Sequence, residues 1–325
     1  EKDLLWQELD ETAERMSSLS FTDTIVEREK SRVIAEVRNM FTGNPRLAAM
    51  NNARERAMPS HSAGRKGGHP DEIRNLKIGD IETHWKNYYK PENAVLVVAG
   101  GFDAFDAKVK INDLFSDIEP GEDVPDASQF GPVSKGRYKR VRVSPQLPGT
   151  SSHVCLAYRA PTMDDELYAP FLVLTVRMWL LAARIQFDPS QFPPPVYYAP
   201  LDDPDVFYVN TPVGIYESRQ AAVRRIEAFV NESMSAELEP GDVMTTMDFF
   251  GPFLGFADLP EEMLAQNLYG LTFSLGRSEQ LGLEPDKLRD AIENVTDRDL
   301  RRAATKTFST DNRAAVIATV SKGRL

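Results

Sequence analysis

Glu29 and Glu36 are spaced so that they could share one chemical task. On a helix turning about 100° per residue, seven positions bring the second carboxylate to within about 20° of the first, two turns further on. The same arc carries Ile25, Val26, Val33, Val37 and Met40, whereas Glu27, Arg28, Lys30, Ser31 and Arg38 take the other sides. A carboxylate on an apolar stripe is costly unless it is hydrogen-bonded, ion-paired or bound to a metal. Two readings stay open from the spacing: a metal or acid–base site, or acids that snorkel from the edge of the core to Arg and Lys partners.

Other residues that could do chemistry are few. The four histidines are His61, His69, His84 and His153. His61 and His69 fall in a Gly- and Ser-rich loop, His84 on an amphipathic helix beside Trp85, and His153 in a strand. The single cysteine, Cys155, lies in the apolar run from His153 to Tyr158 and reads as a buried structural thiol.

The elements that must position these residues follow from periodicity. Apolar residues at three- and four-residue spacing predict helices over Leu4–Leu19, Thr24–Met40 and Ile78–Tyr89, the second capped by Thr22 or Asp23. A strand is expected at Ala94–Ala99 and a helix at Ala104–Phe115, then a Pro-, Gly- and Asp-rich stretch from Ser116 to Lys135. Beyond it, strands are expected at Tyr138–Val143, His153–Tyr158, Val196–Tyr198, Val206–Asn210 and Ala314–Val320. Helices are expected at Leu167–Phe187, Arg219–Met234, Pro260–Leu275, Asp286–Val295 and Asp297–Phe308, which makes an α+β pattern.

An internal repeat organises the chain. Asp80, Tyr89 and Asn93 with the run to Val98 are matched by Asp299, Phe308 and Asn312 with the run to Ile317, at an offset of 219 residues (299 − 80). Two homologous lobes are therefore expected: 1–117, a linker at 118–137, and 138–325. Each lobe is expected to be a mostly antiparallel sheet with helices on one face. The second lobe opens near residue 151, so its counterpart implies roughly 70 residues of the first lobe before Glu1, and a first lobe that is N-terminally incomplete.

The run Glu27-Arg-Glu29-Lys-Ser-Arg-Val-Ile-Ala-Glu36 resembles the two-glutamate helix of the pitrilysin/insulinase family of zinc metallopeptidases. Gly68-His69-Pro70, Tyr88-Tyr-Lys-Pro-Glu-Asn-Ala-Val-Leu-Val-Val-Ala-Gly100 and Pro200-Leu-Asp-Asp-Pro204 with Phe207 resemble further segments of that family in the same order. The resemblance implies Glu36 as a zinc ligand and Glu29 as its supporting acid. It also implies an Arg and a Tyr offered toward the substrate, for which Arg184 and Tyr198, with Tyr197 beside it, lie in the right region. The Pro-rich stretch Asp188–Pro195 departs from the family spacing.

The departure with most consequence is the histidines: no two of the four frame the inverted His-x-x-Glu-His motif. Zinc hydrolysis of this kind needs two imidazoles, a carboxylate and an open position for water, and this chain supplies one ligand of three. The resemblance therefore implies a zinc-dependent endopeptidase-like protein that binds peptides between two lobes and is inactive alone as given. The alternative is a non-catalytic binding or assembly subunit. A peptide or unfolded polypeptide is the implied partner, with a homodimer or a heterodimer of related subunits.

Composition limits the remaining classes. A formal net charge of −11 opposes nucleic-acid binding, which needs clustered Lys and Arg. The longest apolar stretch, Leu167–Phe187, contains Pro170, Arg177 and Arg184, and so falls short of a membrane span. No signal-like segment opens the chain, and the compartment is left open.

Overall fold

A computed structural model describes residues 2–41, 43–59, 61–64, 67–120, 138–143, 151–184, 196–234, 237–255 and 268–320. Among them are twelve α-helices: α1 (Lys2–Ser17), α2 (Asp23–Phe41), α3 (Pro45–Ala57), α4 (Pro70–Asn75), α5 (Ile78–Tyr88), α6 (Ala104–Phe115), α7 (Tyr168–Arg184), α8 (Arg219–Met234), α9 (Asp242–Leu254), α10 (Leu268–Gln280), α11 (Pro285–Glu293) and α12 (Asp297–Thr307). The strands are β1 (Lys139–Val143), β2 (His153–Arg159), β3 (Val196–Tyr197), β4 (Val206–Pro212) and β5 (Arg313–Val320). The α+β class is as expected.

The chain divides into two compact units, each discontinuous in sequence. One comprises Glu1–Ile34, Asp71–Asp126 and Asp258–Gly282; the other comprises Ala35–Pro70, Ala127–Ala257 and Leu283–Leu325. Most of the expected linker, residues 121–137, and the start of the helix expected from Pro260 lie outside the described residues.

The second unit is built on a five-stranded sheet of order β1-β5-β2-β4-β3. β1 runs parallel to β5, and the other three pairings are antiparallel. Alternation along the strands sends Val154, Leu156, Tyr158, Phe207 and Val209 to one face, where α7, α8, α9, α11 and α12 cover them. Phe308 seals that layer, its ring edge-on to Tyr158 at 5.0 Å and to Phe207 at 5.1 Å.

Cys155, Ala157, Tyr208, Ala314 and Ala318 point to the opposite face, and α3 covers them. The expectation of helices on one face only is therefore corrected. The cause is side-chain size: Ala49, Ala53 and Ala57 on α3 meet strand alanines, so helix and sheet backbones approach closely. Arg159 Nε donates to the carbonyl of Ala57 at 2.6 Å, placing a cation at the negative end of α3. Arg54, in the last turn of α3, forms a buried ion pair with Asp205.

The first unit is helical and sparsely cored. Lys110 Nζ pairs with Asp10 at 2.6 Å, and Trp85 Nε1 donates to the carbonyl of Arg15 at 3.1 Å. Leu9, Ala13 and Ala107 are buried, but α5 buries no side chain. Ala94–Ala99, expected as a strand, begins with extended backbone at Ala94 but forms no strand and pairs with none among the described residues. Its Val and Leu content favours a strand, but a strand forms only where a neighbour completes the ladder.

The internal repeat reappears in local structure. Backbone N of Lys77 donates to Asp80 at 2.8 Å, as that of Thr296 does to Asp299 at 3.2 Å. Asn93 Nδ2 donates to the carbonyl of Tyr88 at 2.9 Å, and Asn312 Nδ2 to that of Thr307 at 2.8 Å.

Candidate functional site

α2 begins where its sequence predicts, with Val26 N bonded to the carbonyl of Thr22 at 2.9 Å and Ile25 N to its hydroxyl at 3.4 Å. Val26 and Val37 are buried along it, but Ile25 and Met40 stay largely in water. The stripe is thus narrower than its apolar residues suggest, and the two acids lie outside the core.

Glu29 is held by its own helix. Arg32 Nε donates to Oε2 at 2.7 Å and Arg28 Nε approaches Oε1 at 3.3 Å, occupying both carboxylate oxygens. The Arg32 hydrogen bond, foremost, keeps the carboxyl below its usual range. Glu36 is exposed and makes no hydrogen bond or ion pair among the described residues.

The imidazoles are dispersed. His61 accepts from Ala63 N through Nδ1 at 3.0 Å, His84 lies against the Tyr88 ring at 4.5 Å, His69 is exposed, and His153 sits at the start of β2. Among the described residues no group of three or more His, Cys, Asp or Glu side chains is disposed to hold a metal. The zinc site implied by the resemblance does not fit this donor set: Glu29 has both oxygens engaged by arginines, and Glu36 has no imidazole beside it.

Arg184 is the last residue of α7, and the Pro-rich segment after it, 188–195, lies outside the described residues. Tyr198 is 8% exposed, edge-on to Phe171 at 4.9 Å, with its hydroxyl beside that of Tyr168. Burial pushes its phenol well above the usual range. Tyr197 lies on β3 against the Tyr208 ring at 6.2 Å.

Sequence reasoning passed over two arginines on α3. Arg54 and Arg46 are both buried, Arg54 against Asp205 and Arg46 against the start of β2. The signal available was the run Asn44-Pro45 followed by Ala49, Ala53 and Ala57, a helix start and an alanine stripe at four-residue spacing. The residues of Ala94–Ala99 were identified, but as a paired strand; Leu96 is in fact 45% exposed and Val95 is exposed too.

Comparison with known proteins bears on the class. Residues 75–178 match the peptidase M16 inactive domain. The fold is similar to that of a protease from Helicobacter pylori, with a TM-score of 0.74 and 16% identity over 97% of this chain and 76% of that one. It is also similar to a peptidase M16 inactive domain from Pseudomonas fluorescens, with a TM-score of 0.70 and 15% identity over 95% of this chain and 73% of that one. A ferredoxin protease in complex with Arabidopsis ferredoxin aligns with a TM-score of 0.56 and 15% identity, over 97% of this chain and 36% of that one. No curated protein matches the sequence.

The fold is similar to that of M16-like peptidases, and residues 75–178 match the model of the peptidase M16 inactive domain. The pitrilysin/insulinase resemblance drawn from the sequence is supported on both counts.

Proposed function

We propose that this chain binds extended or unfolded polypeptide as a non-catalytic subunit of a pitrilysin/insulinase-like peptidase, within a homodimer or beside a related partner. The single observation that carries the reading is the donor set around α2, where Glu29 is taken by Arg28 and Arg32 and Glu36 stands without imidazoles. The match of residues 75–178 to an inactive domain supports the same reading. Ala94–Ala99 offers a means of binding: backbone that joins no sheet among the described residues, with exposed Val95 and Leu96, can pair with an incoming strand. In this reading the lobes are 1–117 and 138–325, Arg184 faces the polypeptide, and Tyr198 serves packing.

A second reading keeps hydrolysis. It is favoured by Glu36, whose carboxylate makes no hydrogen bond or ion pair among the described residues and can serve as one zinc ligand if two imidazoles come from polypeptide other than these 325 residues. Zinc bound there would polarise a water for attack on a peptide bond. Zinc titration against a competing chelator separates the two. The first reading expects no tight stoichiometric uptake and no change in Glu36→Gln. Uptake near one zinc per chain, lost in Glu36→Gln, would establish the second.

A further inference from the structure

Arg46 is 7% exposed and lies in the first turn of α3, yet its Nε and Nη2 have no hydrogen-bond partner among the described residues. A buried guanidinium without a counter-charge is costly, so the arrangement calls for an anion. Nε–H and Nη2–H are the two parallel donors on one edge of the guanidinium, the edge that grips a pair of oxygens bidentately.

The surroundings fit the same ligand. Helical side chains lean toward the helix amino end, so Arg46 extends past the first turn of α3, where the macrodipole is positive. Asn44 Oδ1 already accepts from Arg46 N at 3.0 Å and Leu47 N at 3.2 Å, which leaves the guanidinium as the free donor there. The groups facing it on β2 are the Cys155 thiol and the His153 imidazole, and neither carries negative charge: burial pushes the thiol up and the imidazole down. Ser151 and His153 remain part-exposed, giving a route in at the start of β2.

From this juxtaposition of the orphaned Nε/Nη2 edge of Arg46, the amino end of α3 and an uncharged strand start, we infer that the second unit binds a small oxyanion, a carboxylate or a phosphate. The site is independent of polypeptide hydrolysis and of the reading of α2 proposed above.

The test measures the thermal unfolding midpoint at constant ionic strength against rising concentrations of three probes: inorganic phosphate, a short acetylated peptide with a free carboxy terminus, and its C-terminal amide. A ligand that binds only the folded state raises the midpoint with concentration. The parent protein is expected to respond to phosphate, to the free-carboxylate peptide, or to both, but not to the amide. Phosphate alone identifies a free inorganic anion, and the free-carboxylate peptide identifies a peptide terminus. Arg46→Met is expected to fold without any probe and to lose the response. Arg46→Lys, which keeps charge without the fork, is expected to bind about tenfold more weakly or worse. No response in the parent, an equal response in Arg46→Met, or an unchanged affinity in Arg46→Lys overturns the site. If Arg46→Met does not fold, the Arg46→Lys comparison decides.

Discussion

Arg54 and Asp205 form an ion pair in which the side chains are 3% and 1% exposed, joining the last turn of α3 to the entry of β4. The Tyr208 hydroxyl lies 3.4 Å from Arg54 Nη1 and belongs to the same cluster. Removing one partner of such a pair strands the other charge. Asp205→Asn is therefore expected to destabilise by about 3–5 kcal/mol, while Arg54→Met with Asp205→Leu together costs far less. Urea denaturation of the single and double variants measures the difference, and equal losses would show the pair to be a minor contributor.

Stability also depends on pH through His153. Burial, with Arg46 nearby, lowers its pKa from 6.5 to about 4, so the folded state holds the imidazole neutral. Above pH 6.5 both states are neutral and the group contributes nothing. Below it the unfolded chain takes up the proton first, and stability falls by about 1.4 kcal/mol per pH unit until the folded state protonates near pH 4. His153→Gln is expected to flatten that slope between pH 6.5 and 4, as read from denaturation midpoints across the range.

The alanine face between α3 and the sheet leaves no room for growth. Ala53 is fully buried against a layer that includes Ala157 and Ala314. Ala53→Leu is expected to cost about 1–3 kcal/mol by overpacking, despite the high helix propensity of leucine. A gain in thermal midpoint would mean that α3 can lift from the sheet at little cost.

Strand addition at Ala94–Ala99 makes a backbone prediction. Val95 is exposed, so Val95→Pro removes one amide donor with little loss of packing. Its affinity for unfolded polypeptide is expected to fall about five- to tenfold. Fluorescence anisotropy with a labelled polypeptide measures it, and unchanged affinity would place the binding surface elsewhere.

Much of the architecture was legible in the sequence because long amphipathic helices and apolar strands carry strong periodicity; α5, α8 and α12 lie where expected. The repeat was legible too, and the Asn93 and Asn312 side chains give it a shared local geometry. α3 was not, because its buried face is alanine and arginine rather than an apolar stripe. That Ala94–Ala99 pairs with no strand among the described residues was not, because β-propensity describes the residue and pairing depends on a neighbour. The engagement of Glu29 could be read only in outline, since Arg28 and Arg32 flank it in the sequence but their rotamers decide whether they reach it.

The central claim is binding without hydrolysis by this chain alone. The most direct measurement mixes the protein with a labelled unfolded polypeptide and zinc, then follows anisotropy and the mass of the polypeptide together. The account predicts saturable binding with the polypeptide mass unchanged, with or without a chelator. Fragments that appear with zinc and vanish with the chelator would contradict it.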